Sequence, residues 1–450
     1  MARSNRHRPK PGAPDRRSPA RRSTGRRAAQ ACASAKRAIV TIEAIAAGGD
    51  GVAHESSARI FVPLTAPGDI AEIEIRGDRG ALIELKEGAA IRAAAPCRHY
   101  GRCGGCALQH VTGEFYRDWK RERVVGPLAR AGFDANIVGA LVETPAPTRR
   151  RATFAVRRTG AQTVLGFNAR RSASIEAIED CLVLHPDIVR NLPALRALAA
   201  RIDAREFDLA ITLCENGIDA AIAAREIDEP RGAALIEHLS LMRAAGVVRL
   251  SVNGEIVAAL QSPQVSFAGV AAAPPAGGFL QASREGEAAL VALVAGAAAG
   301  AKKIADLFSG CGTFSLALAK SAAVTAFDSH AGAIAALTQA ASNAQRAGMA
   351  TNPLSAETRN LFERPVTAKE LKRFDAVIFD PPRAGAPAQS REIAASSLGL
   401  AIGVSCNPAT FARDAAILRE GGFRLEVVTP VDQFVYSSHV ELVGVFTRGT

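Results

Sequence analysis

Long apolar runs are missing from this 450-residue chain. None approaches the roughly 18 residues that a membrane-spanning helix requires. The longest, residues 288–301, is rich in Ala and Gly and runs into Lys302-Lys303, which reads as a packed helix. Residues 1–30 contain no Leu, Ile, Val or Phe, so no secretory signal is expected, and the lack of an amphipathic apolar face argues against a transit peptide. Acidic residues are also nearly absent at this end. Twelve of the 55 Lys/Arg but one of the 44 Asp/Glu fall in residues 1–37, which leaves 43 of each sign beyond. The net charge of +11 therefore belongs to one Pro-containing tail, read as disordered and able to grip phosphate non-specifically. The expectation is a cytoplasmic protein with no membrane partner, in which eight cysteines serve metal binding or catalysis rather than disulfides.

What is present is a chain that is 48% hydrophobic, enough for several cores. Residues 38–95 read as short strands, Ala38–Ile45, Arg59–Val62, Asp69–Arg76 and Gly80–Lys86, with turns at Gly48-Gly49-Asp50-Gly51 and Pro67-Gly68-Asp69. A small OB-like barrel fits, although Phe61 is its one aromatic, so a rich base-stacking platform is lacking. Residues 96–278 mix cysteines with strands and helices such as Leu192–Arg201, and end in the linker Pro274–Gly278. From Phe279 to the end, strands and helices alternate. Lys303–Leu307, Ala323–Phe327, Phe374–Phe379 and Leu400–Ser405 are apolar, as buried parallel strands are. Helices are expected at Thr313–Ala319, Gly332–Ala347 and Ala409–Glu420. This predicts a Rossmann-like, doubly wound α/β domain, whose ligand lies at the carboxyl ends of the strands.

Asp306-Leu307-Phe308-Ser309-Gly310-Cys311-Gly312-Thr313-Phe314 follows a strand and opens a helix, with small residues where a ligand must approach the backbone. A dinucleotide fingerprint would need glycine where Ser315 stands, so a nucleoside cofactor without pyrophosphate is preferred, and S-adenosylmethionine fits. Asp328 ends the next strand, where its carboxylate can accept from ribose hydroxyls. Asp380-Pro381-Pro382 makes a rigid loop at a further strand end. Arg383 follows it where amine-directed methyltransferases carry an aromatic, which argues against adenine N-methylation.

Cys406 lies between a strand and a helix begun by Asn407 and Pro408, a good N-cap and first helical residue. Alone, such a cysteine reads as a small buried hydrophobe. Beside a methyl donor it suits addition to C6 of a pyrimidine, which turns C5 into a nucleophile. The helix start is expected to lower its pKa. Glu441, in the apolar run Val440–Phe446, would be raised by burial toward the range of a general base. His439 is expected on the same strand face. Read singly, Glu441 could equally be a carboxylate facing water.

Phe279-Leu280-Gln281, Asp306–Phe314, Asp380–Gly385, Ser405–Thr410 and His439-Val440-Glu441, in this order, resemble the RNA 5-methyluridine methyltransferase family. Residues 38–278 are similar to that family's TRAM barrel and central domain. The resemblance implies Cys406 as nucleophile and Glu441 as base, with Gln281, Phe308, Thr313, Asp328, Asn360 and Asp380 around the cofactor. Thr313 and Asp328 depart from the commoner Asn and Glu. Cys97, Cys103 and Cys106, with Cys181 far downstream, have thiolates soft enough for iron–sulfur or zinc. Their spacing is similar to the [4Fe-4S] motif of the ribosomal-RNA branch, which implies a cluster stapling the central domain. His110 reads as an ordinary polar residue. The implied activity is C5-methylation of a uridine in 23S rRNA by a monomer. The alternatives are a tRNA uridine methyltransferase and a non-catalytic RNA-binding assembly factor.

Overall fold

In the computed structural model, residues 36–160, 162–225, 233–349 and 352–449 are described. The basic tail lies almost wholly outside them. Three sheets carry the architecture. The first has six strands in the order Lys36–Thr41, Ile70–Arg76, Arg79–Glu87, Ala58–Val62, Gly51–Glu55, Ala44–Ile45. Val40, Ala53, Ile60 and Ile73 share one buried cluster, so strands distant in that order enclose a common core. Two details differ from the sequence reading. The first strand breaks after Thr41, where the Ile42 N–H turns to the Asp69 carbonyl, and Gly51–Glu55 is an additional strand paired with Ala58–Val62.

The second sheet has seven strands: Ile175–Ala177, Gln162–Asn168, Arg151–Thr159, Glu206–Cys214, Gly217–Ala223, Val247–Val252 and Glu255–Ala259. Leu192, Leu195 and Leu198 of helix Pro186–Ala200 pack into its core at helical spacing. That helix begins two turns before the expected Leu192, because Pro186 sits in its first turn and His185 caps it.

The third sheet has eight strands: Leu354–Thr358, Ala323–Asp328, Lys303–Leu307, Ala376–Phe379, Leu400–Ser405, Glu441–Thr447, Arg424–Asp432 and Val142–Glu143. The first five are mutually parallel, and Glu441–Thr447 inserts antiparallel between its neighbours. Strand order reverses between Lys303–Leu307 and Ala376–Phe379, so a crevice opens beyond their carboxyl ends. The sequence reading missed the strands Leu354–Thr358, Arg424–Asp432 and Val142–Glu143 and the role of helix Gly113–Arg130. Val124, Val125 and Leu128 of that helix join the core beneath this sheet, beside Leu418 and Phe423. Among the described residues no helix is long and apolar enough to cross a membrane.

Lys120, on the buried face of the same helix, is fully inaccessible. Its ammonium reaches Asp432 at 2.8 Å, the Phe434 carbonyl at 3.2 Å and the His439 carbonyl. Tyr116 donates to the other oxygen of Asp432 and accepts from the Tyr436 N–H at 2.8 Å. A buried charge is tolerable only when paired and fully bonded. This network ties the helix to the turn between the two C-terminal strands.

Candidate active site

Asp380 follows strand Ala376–Phe379, Cys406 follows strand Leu400–Ser405, and Glu441 opens the antiparallel strand. Two turns are locked together to hold them. The Arg383 carbonyl accepts from Asn407 Nδ2 at 3.0 Å and Thr410 Oγ1 at 3.2 Å. The Ala384 carbonyl accepts from Arg413 at 2.8 Å, and the Ala386 N–H donates to Asp414 at 2.7 Å. Gly385, at φ +70°, has Arg413 and Asp414 atoms within 2.5 Å of where a Cβ would stand, so a side chain is excluded. Asn407 caps the next helix by accepting from the Ala409 N–H at 3.1 Å.

Asp380, Cys406 and Glu441 are all buried enough to be perturbed, and Arg383 stands beside them. Burial pushes Asp380 well above the usual carboxylate range, and the charges of Glu441 and Asp306 add to it. Burial likewise lifts Glu441 to about 7, against the opposing pull of Gln433, Arg383 and Lys120. Cys406 is half-buried and pushed up to about 11, first by desolvation and then by the Glu441 and Asp380 carboxylates. A lowered thiol pKa was expected from the helix start; burial and two neighbouring carboxylates outweigh it. Arg383 is the group that acts in the other direction, through charge and a hydrogen bond to the thiol.

His439 does not share Glu441's strand face, because the strand begins at Glu441. Its ring instead meets the Arg383 guanidinium at 3.1 Å. Burial and that cation lower it to about 4, so it is neutral near pH 7. Gln433, for which the sequence offered no signal, is buried between Gln281 and Glu441.

The second half of the crevice surrounds the Gly310–Gly312 turn. Asp328 accepts the Gly310 N–H at 2.9 Å and the His330 N–H at 2.7 Å. A carboxylate has about four lone-pair positions, so acceptor capacity remains for hydroxyls. Asp306 is buried, accepts from Ser315 Oγ with one oxygen, leaves the other unpartnered, and is raised to about 7 by burial. The hydroxyl of Ser309 is also buried without a partner. Buried orphan groups at a switch point are what a polar ligand would satisfy. Phe308, held at φ +64°, lies 5.5 Å from Phe362, which is 49% exposed. Asn360 spends its side-chain oxygen on the Phe362 N–H at 3.1 Å, so it orients that ring. Thr313 opens the following helix after Gly312, at φ +97°. These residues gather at the carboxyl ends of adjacent strands, where ligands of doubly wound sheets bind.

Far from the crevice, Cys97, Cys103, Cys106 and Cys181 line one small cavity of about 20 Å³ with Phe167 and Ile178. Burial raises Cys103 and Cys181 and takes Cys106 to about 12, with neighbouring thiols adding to each of the three. The Gly105 N–H points at Cys103 Sγ at 3.4 Å, and the Val183 and Leu184 N–H groups face Cys181. Among the described residues no group of three or more His, Cys, Asp or Glu is arranged to hold a metal ion, so the structure does not bring the four expected cysteine ligands into a metal-binding group. His110 is bonded to Tyr100 at 2.6 Å and the Thr65 carbonyl at 3.1 Å, as an ordinary polar residue is. His99, unremarked in the sequence, lines the cavity.

Residues 277–449 match the family model described as tRNA (uracil-5-)-methyltransferase. Over 92% of the chain and 99% of the relative, the sequence is 43% identical to an uncharacterized RNA methyltransferase of Brucella suis. It is 32% identical, over 91% of the chain and 89% of the relative, to the 23S rRNA (uracil(1939)-C(5))-methyltransferase RlmD of Chromohalobacter salexigens. The fold is similar to that of the Pyrococcus abyssi tRNA (uracil-54, C5)-methyltransferase solved with S-adenosyl-L-homocysteine. That match has a TM-score of 0.70 at 24% identity and covers 92% of this chain and all of that one. On the extent of these matches, the chain belongs to the RNA uracil-5-methyltransferase family and is an S-adenosylmethionine-dependent RNA methyltransferase.

Proposed function

We propose that this enzyme methylates C5 of a uridine in 23S rRNA through a covalent bond between Cys406 and C6 of the base. The observation that carries the reading is the convergence of Cys406, Asp380 and Glu441 at adjoining strand ends, with the Arg383 guanidinium beside the thiol. Bound beside them, S-adenosylmethionine supplies an electrophilic methyl group on a sulfonium. Arg383 stabilises the Cys406 thiolate, which forms the S–C6 bond and moves electron density to C5 and O4. Once C5 carries the methyl group, Glu441 takes the C5 proton, the C5=C6 bond re-forms and the S–C6 bond breaks. The target base must leave its stack for C6 to meet the thiol.

This reading takes residues 38–95 as a TRAM domain, 96–278 as the central domain and 279–450 as the catalytic domain of a cytoplasmic monomer. Cys97, Cys103, Cys106 and Cys181 would hold a [4Fe-4S] cluster. A cubane binds its thiolates through four different irons, so they stand wider apart than ligands of one ion. The buried thiols need such a cationic group to stay ionised. Its role here is to join the loop of residues 97–106 to Cys181, since methyl transfer moves no net electrons. Anaerobically purified protein should contain iron and acid-labile sulfide in equal amounts, and Cys181→Ser should lose both. A reconstituted protein without iron would remove the cluster.

Ribosomal RNA is favoured over tRNA by the 23S-specific relative and the cysteine spacing. Nucleoside mapping of RNA from a deletion strain tests it. One 5-methyluridine should vanish from 23S rRNA and return when the intact gene is restored. Loss from tRNA alone would favour the tRNA reading.

A further inference from the structure

The chain between the strands Arg424–Asp432 and Glu441–Thr447 supplies groups to the site, yet it is held in shape from a distant part of the sequence. Val431 pairs with Glu441, so residues 432–440 form the turn that leads into the proposed base. Gln433 near its start faces the Glu441 carboxylate, and His439 near its end meets Arg383. Tyr436 in the middle stands at φ +62°, a conformation that side chains rarely adopt and that persists only where the surroundings impose it. Both of its backbone groups are taken by residues 107–116. Its N–H donates to the Tyr116 hydroxyl at 2.8 Å, and its carbonyl accepts from the Ala107 and Leu108 N–H groups at 2.7 and 3.1 Å. Lys120, one helical turn beyond Tyr116, closes the two ends. Its ammonium donates to the Asp432 carboxylate and the Phe434 carbonyl on one side and to the His439 carbonyl on the other. The Asp432 oxygen that it uses also accepts the Phe434 N–H at 3.1 Å.

We propose that Tyr116 and Lys120 are positioning residues for the elimination step, holding the 432–440 turn in the shape that lets Glu441 take the C5 proton. The inference rests on the reading of Glu441 as the base. Fastening a helix to a sheet needs no buried charge, since apolar residues do so without desolvating an ammonium. Burial opposes the Lys120 charge, and Asp432 supports it. What an apolar side chain cannot do is bind two carbonyls from opposite ends of one turn. The ammonium does this just outside the Val431–Glu441 pair, which keeps the start of the Glu441 strand from splaying. Tyr116 locks the middle, giving its proton to Asp432 and a lone pair to the Tyr436 N–H. The other reacting groups do not hang on this turn. Cys406 and Asp380 follow separate strands, and the Arg383 carbonyl is bonded to Asn407 and Thr410. Loosening the turn should therefore spare thiol addition and methyl transfer. It should slow loss of the C5 proton, because a misplacement of about 1 Å can cost on the order of 10²-fold.

The test uses the full chain, S-adenosylmethionine and a 23S rRNA transcript in which the wild-type enzyme deposits 5-methyluridine. Tyr116→Phe removes one oxygen and keeps the ring. Lys120→Met combined with Asp432→Asn removes both charges, so that neither is left buried alone. S-adenosylhomocysteine binding and the melting temperature report the fold; if the double variant fails to fold, Tyr116→Phe decides alone. In single turnover, methyl transfer to RNA and decay of the denaturation-resistant protein–RNA adduct are measured separately. Both variants should transfer methyl within about threefold of the wild-type rate and release the adduct at least about tenfold more slowly, so that adduct accumulates. A merely structural defect would lower the active fraction or slow the two steps alike, and no adduct would build up. Folded Tyr116→Phe enzyme whose adduct decays at the wild-type rate overturns the proposal, as does equal slowing of both steps. Glu441→Gln is the reference. An adduct in that variant but in neither of the others leaves the base assignment standing and removes the positioning role. If Glu441→Gln forms no adduct, or the wild type no 5-methyluridine, it is the underlying reading that fails.

Discussion

Cys406→Ala should abolish methyl transfer, with a loss on the order of 10⁴-fold or more in single-turnover rate, since a covalent nucleophile has no substitute in the site. Cofactor binding should be nearly unchanged, because the thiol lies at a different strand end from the Gly310–Gly312 turn. Cys406 is small and half-buried, so folding stability should shift by no more than about 1 kcal/mol. The measurement is transfer of labelled methyl to RNA at saturating enzyme, with S-adenosylhomocysteine binding as the control for the fold. Continued transfer at near wild-type rate would remove the covalent step. The pH dependence has a definite sign. With the thiol at about 11, the thiolate fraction in the resting protein grows as pH rises through the neutral range. Removing the Arg383 charge should raise the thiol further, lowering the thiolate fraction at neutral pH and moving that limb to higher pH without changing its slope.

The parts of this molecule legible in its sequence are those that local chemistry fixes. Lys303–Leu307 and Leu400–Ser405 are continuous apolar runs, and they form as read. The Asp380–Gly385 and Ser405–Thr410 segments carry their own turn and capping residues, so their places at strand ends could be read without partners. The thiol's pKa was misjudged for the opposite reason. Its helix start is local, but the carboxylates of Asp380 and Glu441 arrive from strands 26 and 35 residues away. The same distance hid Gln433, whose hydrogen bond exists only where residues 281 and 433 meet. Lys120 left a trace that was readable in principle. It stands at helical spacing from Tyr116 and Val124 in the buried stripe of its helix, a place where lysine requires a partner. Asp432, more than 300 residues later, could not be identified from that trace.

Glu441→Gln should separate the two halves of the reaction. The variant keeps the shape of the side chain and can still accept from Gln433, but it cannot take a proton from C5. Methyl transfer to C5 would then leave the S–C6 bond with no route to elimination. A protein–RNA species stable to denaturation should accumulate to near one per enzyme, while multiple turnover falls on the order of 10³-fold. In the wild type, Glu441 must be ionised to act. Its pKa of about 7 lies above the usual carboxylate value, so its protonated share grows as pH falls through 7. Adduct breakdown should accordingly slow about tenfold per pH unit below that point, and this acid limb should be absent from Glu441→Gln. Burial creates that limb, and Lys120, Arg383 and Gln433 keep it from moving higher. Taking the Lys120 charge away should therefore shift the wild-type limb toward higher pH. A Glu441→Gln enzyme that turned over normally and left no adduct would hand the proton to another group. Neutral His439, already engaged with Arg383, is poorly disposed to receive it, and Asp380, buried against the same thiol, would be the next residue to replace.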